Sequence, residues 1–569
     1  MLSFVLFEVS GGDGPWTPRQ VYLYGPDGLP VPSEIALERD LLVCRKPTSD
    51  AAGLALQARL VSSAELGEDA GHPRETGPGP LGILSLRTCL LPERDEPYLL
   101  SLELARYRIM LFLNRLEDWG MADLPADGPI MARFESARRC FTEALVAQRA
   151  DAQSSDARYG FSPRADRLAR RALALGIDAG ERLAMDKASK DMAARLAGSI
   201  YKAAVEAYEA ATQETPPPEA AIIVAGTTGV TLPGKPTIGC SVNPTQFTDE
   251  QQRAVAATSD FVSVPMRWTD LEPAEGRYSF KNTDRWIEWA VRKARLPIVA
   301  GPIIDFRPRC APDWLYIWEN DYETLRQYIE EHLRQVVTRY RRTVARWTVA
   351  SGLHVNGNFK LSFEQMMDLT RLCVARVKKL HPTAKVQLEI TQPWGEYYAS
   401  DRRSLPPHVY AEMLVQASVP VDAFALRLQL GQPLPGQAVR DLLEISSLLD
   451  HYASIERPLA ITVLGAPSSP APIERVDQQP LDPGFWRSPW SDTQQAEWLA
   501  RVAALAASKP YVQSVCWQEI ADPPPGQQPH EMPDGGLIGP TAQPKPGLRR
   551  LYELRQAIRE GRVPAGIDL

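Results

Sequence analysis

From about residue 237 to residue 560 one alternation repeats eight times: a short apolar run, then a longer segment whose apolar residues recur at three- and four-residue spacing. The runs fall at about 237–242, 261–266, 297–304, 344–351, 385–391, 423–429, 458–464 and 512–518. The helical segments fall near 248–258, 282–295, 321–341, 362–380, 406–417, 435–455, 491–508 and 544–560. Parallel strands need a crossover between them, and a helix is the usual one. Eight consecutive units, with longer connections after the strands than before them, therefore predict an α/β chain closed into a (β/α)8 TIM barrel whose elaborated loops gather at the C-terminal ends of the strands. A doubly wound open sheet is the competing architecture, but no Gly-rich phosphate loop follows any run.

The barrel region, 237–569, is preceded by three others. Residues 1–97 hold short, partly alternating runs (VLFEV, RQVYLY, DLLVCRK, LALQARLV, GILSLRTCLL) divided by Gly-, Pro- and Asp-rich turns, the pattern of a small β-sandwich-like domain. Its aromatic residues Trp16, Tyr22 and Tyr24 read as packing residues rather than a carbohydrate platform. From Tyr98 the period becomes helical, with Leu99, Leu102, Ala105, Ile109, Phe112, Leu113 and Leu116 on one face before Gly120. Further helical stretches at about 128–153 and 163–212 complete a helical region, 98–213, that could pack on the β domain, on the barrel or on a second copy of the chain as a homo-oligomer contact. Pro216, Pro217 and Pro218 end it and open a linker, 214–236, in which AAIIVAG reads as one further short strand.

Composition narrows the partners. The 569 residues are 44% hydrophobic and 23% charged, an ordinary globular balance. A net charge of -7 with no long basic run gives no electrostatic reason to expect nucleic acid or an anionic membrane. The N-terminal apolar run is broken at Glu8 without a basic segment before it, and no run approaches the length of a membrane span. The expected location is cytoplasmic. The seven cysteines are scattered without a C-x-x-C pair, and the seven histidines lack ligand spacing, so neither metal nor another cofactor is implied.

MRWTDLEPAEGRYSF, a P-x-W at Pro312 and Trp314, WTVASG from Trp347 and ITVLG from Ile461 stand out in the barrel region, and together they resemble glycoside hydrolase family 10, the xylanase family. MRWTDLEPAEGRYSF, Met266 to Phe280, with Asp284 beyond it, resembles that family's M-K-W…E-P…G-x-x-x-F…D run after the second strand. Pro312 and Trp314 match its P-x-W after the third, and WTVASG, Trp347 to Gly352, resembles its W-D-V-V-N-E on the fourth. ITVLG, Ile461 to Gly465, matches I-T-E-L-D on the seventh, and VCWQEIAD followed by GGLIGPTAQPKPGLRRL resembles its last strand and the approach to the last helix.

The resemblance implies a β-1,4-xylan type of substrate and retaining hydrolysis, but the departures fall on the chemistry. The family acid/base position is Gly352 and the nucleophile position is Val463. Retention needs a carboxylate nucleophile and a carboxylic acid about 5–5.5 Å apart, and Gly and Val supply neither. The family's sugar-holding positions are also changed: Ser263 and Val264 stand for Glu-Asn, Arg267 for Lys, Pro302 for His, and Arg427 and Gln429 for Gln-x-His.

Other carboxylates near the strand ends are Asp305, Glu389, Glu396 and Glu519, among which a relocated mechanism would have to be found. Glu389 lies inside an apolar strand and must find a partner or shift its pKa. Arg267, Trp268, Arg427, Gln429 and Trp517 are the substrate-contact candidates, and His354 follows the degenerate fourth-strand motif. The reading favoured is a catalytically degenerate barrel that binds a carbohydrate or glycoconjugate or serves as a scaffold. The alternative is a divergent hydrolase of a β-linked glycan with relocated carboxylates.

Overall fold

The computed structural model describes residues 1–7, 19–60, 79–215, 234–399, 401, 403–434, 436–470, 474–476, 479–481, 483–524, 527 and 531–566. Trp16 and the AAIIVAG run lie outside the described residues. No helix among the described residues is long and apolar enough to cross a membrane.

The barrel strands are Thr237–Ser241, Phe261–Val264, Ile298–Ala300 continued by Ile304–Asp305, Arg346–Ser351, Lys385–Ile390, Ala423–Gln429, Leu459–Gly465 and Val512–Trp517. Each pairs in parallel with its neighbours, and the eighth returns to the first through Ser514 opposite Thr237 and Trp517 opposite Cys240. The sheet is thus a closed eight-stranded parallel barrel. Its strands are almost wholly buried, as expected when helices cover one face and strand side chains fill the other.

Helix starts follow local capping. Thr248, Ser362, Asp441 and Ser491 each accept hydrogen bonds from backbone N–H groups two or three residues on, and Ser362 with Gln365 forms a full capping box. The helix expected from 435 starts only at Leu442, because Asp441 is its cap and the preceding residues are loop. The helical stretch expected at 163–212 is two helices, Pro163–Leu196 and Ser199–Thr212, divided at Gly198.

The N-terminal residues form two sheets. One joins Glu34–Glu38, Leu41–Arg45, Leu2–Val5 and Tyr98–Leu99, in that order. The other joins Gly82–Arg87, Gly53–Leu60, Arg19–Tyr24 and Pro30–Val31, and its outer strand comes from the barrel: Phe485–Trp486, in the loop after strand seven, pairs antiparallel with Ile83 and Gly82. Gly82 permits this approach. Its φ is +101°, and a Cβ there would meet the Phe485 carbonyl oxygen at 2.0 Å.

The long Pro163–Leu196 helix answers the question the sequence leaves open about the helical region, since it packs against the barrel helices Leu442–Ala453 and Asp492–Ser508. Its Arg195 guanidinium donates to the carbonyl oxygens of Ala507, Lys509 and Val512 at 2.7–2.8 Å. Its Glu181 accepts from the Trp486 indole at 2.6 Å and from Arg487. Beside it, buried Arg108 pairs with Asp441 at 2.7 Å.

Candidate functional site

The C-terminal ends of strands three to eight converge on one polar network. Ser351 ends strand four in register with Glu389 on strand five and Asp305 on strand three. Glu389, 2 % exposed, accepts three hydrogen bonds: from Ser351 Oγ at 2.7 Å, Thr462 Oγ1 at 2.7 Å and Arg427 Nε at 3.0 Å. That resolves the problem of an acid in an apolar strand, because each neighbouring strand supplies a donor.

Two arginines carry the positive charge. Arg427 on strand six joins Glu389 to Glu531, and its Nη1 also reaches Gln429 Oε1 at 3.1 Å. Arg307, two residues past Asp305, chelates that carboxylate with Nε at 3.0 Å and Nη2 at 2.6 Å and turns Nη1 to Glu531 at 3.3 Å. Gln429 Nε2 donates to Gln518 Oε1 at 2.8 Å and to Glu531 at 3.2 Å. Glu531, on the loop after strand eight, is therefore bridged by both guanidinium groups. Burial raises the Asp305 and Glu531 carboxyls, but the arginines outweigh it, and both sit below the ordinary carboxylate range.

Glu519, just past strand eight, behaves oppositely. Burial, then the nearby Glu531 charge, push its carboxyl up to about 8 against a hydrogen bond from Asn243. It is therefore protonated at neutral pH, and its Oε1 has no hydrogen-bond partner. Gln518 Nε2 and Arg267 Nε are buried and unpartnered in the same way. Arg267 is close enough for its charge to lower both Glu519 and Glu531.

The remaining sequence candidates lie elsewhere. Trp268 is 1 % exposed, stacked on His332 at 4.3 Å with its indole N–H on Glu272. Trp517 is also 1 % exposed and donates to the Gly535 carbonyl. Neither ring face is open to a sugar. Glu396 belongs to a separate pair with Arg440, whose guanidinium also lies 3.8 Å over the Trp394 ring. His354 is buried, with Nε2 at 2.9 Å from the Thr391 carbonyl, and burial depresses its imidazole to about 4.

Gly352 and Val463 contribute no polar side chain to the network. Gly352 has φ +74° and caps a short 3-10 turn; a Cβ there would meet the Arg307 amide nitrogen at 2.9 Å. Val463 is 6 % exposed, and the strand-seven side chain that enters the network is its neighbour Thr462. Arg307, Thr462, Gln518 and Glu531 escaped sequence reasoning. Arg307 at two residues from Asp305 was the one local signal; Glu531 lies 104 residues from Arg427 and carries none.

Residues 231–365 match the model described as Glycosyl hydrolase family 10. Among solved structures, the chain is similar to a GH10 xylanase of Thermobacillus composti, with 17% identity and a TM-score of 0.42, over 56% of this chain and 96% of that one. Xylanase 10B of Thermotoga maritima is similar at 16% identity and TM-score 0.42, over 57% and 97%. A GH10 protein of Paenibacillus barcinonensis is similar at 14% identity and TM-score 0.43, over 58% and 96%. The matched residues take in the motifs after strands two and three and on strand four, and over that stretch of the closed parallel barrel the chain resembles glycosyl hydrolase family 10.

Proposed function

We propose that the barrel is catalytically degenerate and binds a carbohydrate or glycoconjugate at its mouth without hydrolysing it. The observation that carries this reading is the pairing of the mouth carboxylates: Asp305, Glu389 and Glu531 are each held by an arginine. A carboxylate neutralised by a buried guanidinium must break that pair to attack an anomeric carbon, which costs more than it would for a free nucleophile. Gly352 and Val463 add no acid. Arg267, Arg427, Gln429 and Gln518 are then the ligand contacts, and residues 1–97 and 98–213 serve as a supporting unit fixed to the barrel. Incubation of the full chain with xylan and with aryl β-xylosides should release no product above a heat-denatured control. Sustained turnover would overturn the reading.

Glu519 gives a second reading its one specific support. A carboxyl protonated at neutral pH beside ionised Glu531 is the divided protonation that an acid and a base require. On that reading the chain is a divergent hydrolase of a β-linked glycan. Turnover abolished by Glu519→Gln and retained in Glu396→Gln would select it.

A further inference from the structure

The arginine pair at the mouth holds a carboxylate from the protein's own chain, and the way that carboxylate is delivered differs from the others. Asp305 and Glu389 are strand residues, fixed by the barrel itself. Glu531 reaches the same guanidinium groups from a loop, and its side chain is more exposed than either. We infer that the mouth recognises a carboxylate-bearing sugar of the uronate class, taken by Arg307 and Arg427 at the place that the Glu531 carboxylate fills. This rests on the carbohydrate-binding reading above and names the chemistry of its ligand.

Charge decides between an acidic and a neutral sugar. Arg307 and Arg427 are shared among Asp305, Glu389 and Glu531, while Arg267 lies near Glu519 and Glu531. With Glu531 in place Arg307 and Arg427 each have two carboxylate partners, and without it each is short of one. A neutral sugar that displaced Glu531 would leave Arg307 with Asp305 alone and Arg427 with Glu389 alone, each exchanging a charged partner for hydroxyls in a buried site. A uronate exchanges one carboxylate for another, with the planar bidentate match that arginine favours. Ring hydroxyls would find partners ready beside it, since Gln518 Nε2, Glu519 Oε1 and Arg267 Nε are buried without any.

Titration calorimetry of the full chain at low salt, with trigalacturonate, xylotriose and acetate as probes, tests the inference. Trigalacturonate should bind in preference to xylotriose. Glu531→Gln removes the internal competitor's charge while keeping its shape, and should tighten trigalacturonate binding roughly tenfold or more, the scale of a hydrogen bond to a charged group. Arg307→Lys keeps the charge and loses the fork, and should weaken trigalacturonate binding several-fold more than xylotriose binding. Equal binding of the two trimers by natively folded Glu531→Gln protein overturns the acidic-sugar inference and leaves the carbohydrate reading standing. Binding of acetate as tightly as the trimer overturns it in favour of a general anion site, and no binding of either trimer overturns both.

Discussion

Ser351 and Glu389 face each other across barrel strands four and five, the serine hydroxyl donating to the glutamate Oε1 at 2.7 Å. The hydroxyl at this strand end thus helps to hold an internal carboxylate. Arg427 takes the same oxygen at 3.0 Å, and Thr462 takes the other.

Removing that carboxylate should therefore be felt in the fold rather than in any chemistry. Glu389→Ala leaves Arg427 without one of its two carboxylates in a buried site, and should lower unfolding free energy by about 3–5 kcal/mol, the usual cost of breaking a buried pair. Urea denaturation measures it; a change below about 1 kcal/mol, the level of an exposed ion pair, would contradict the buried role.

Gly352 should resist every side chain. With φ +74° and the Arg307 amide 2.9 Å from a new Cβ, Gly352→Ala should destabilise by about 1–3 kcal/mol. The double variant Gly352→Glu, Val463→Glu should be still less stable and remain inactive on aryl β-xylosides, because the strained turn at 352 does not hold a new carboxyl at the retaining distance from one at 463. Glutamate-dependent turnover in that variant would contradict this expectation.

The pH dependence of stability should carry two opposed components. Glu519 binds its proton more tightly in the folded state, up to about 8, so its contribution is complete below the unfolded carboxyl range and falls as pH rises toward 8. The slope is at most about 1.4 kcal/mol per pH unit for one proton. Glu531 is shifted the other way, and its contribution is present above the unfolded range and lost on acidification. Chemical denaturation from pH 3 to pH 9 should show Glu519→Gln flattening the loss between about pH 5 and pH 8, and Glu531→Gln flattening the acid limb. An unchanged profile in Glu519→Gln would mean that its carboxyl is ionised in the native protein.

The junction between sheet and barrel should be as sensitive as either core. Trp486 is buried and gives its indole N–H to Glu181, so Trp486→Ala should cost about 3–5 kcal/mol and make the loop after strand seven the first site of limited proteolysis. Cleavage that begins elsewhere would show that the pairing with Gly82 is not what fixes that loop.

The barrel was legible because parallel strands buried on both faces read as apolar runs and their crossovers as amphipathic helices; Ala423–Gln429 and Leu459–Gly465 lie within a residue of where those runs place them. The site was legible in part. Asp305 and Glu389 stand out as acids at strand ends, and Arg427 and Gln429 as replacements within a motif. What binds them together is long-range: Glu531 meets Arg307 across 224 residues, and no periodicity encodes such a pair. Trp268 and Trp517 mislead for a related reason, since an indole at a strand end can stack on a ligand or fill the barrel wall, and only packing decides.

The strand Phe485–Trp486 also bears on how a ligand enters. Barrel enzymes commonly admit and release substrate by loop motion on the strands' C-terminal face. Here the loop after strand seven is hydrogen-bonded into the edge of another sheet and pinned at Trp486, so that side of the mouth is a fixed wall and moving it means stripping a strand from its neighbour. Away from that flank, the loops after strands four and five carry Lys360 and Arg403 beside an open cleft. One flank of this barrel's mouth is thus built by the very region that precedes it in the chain.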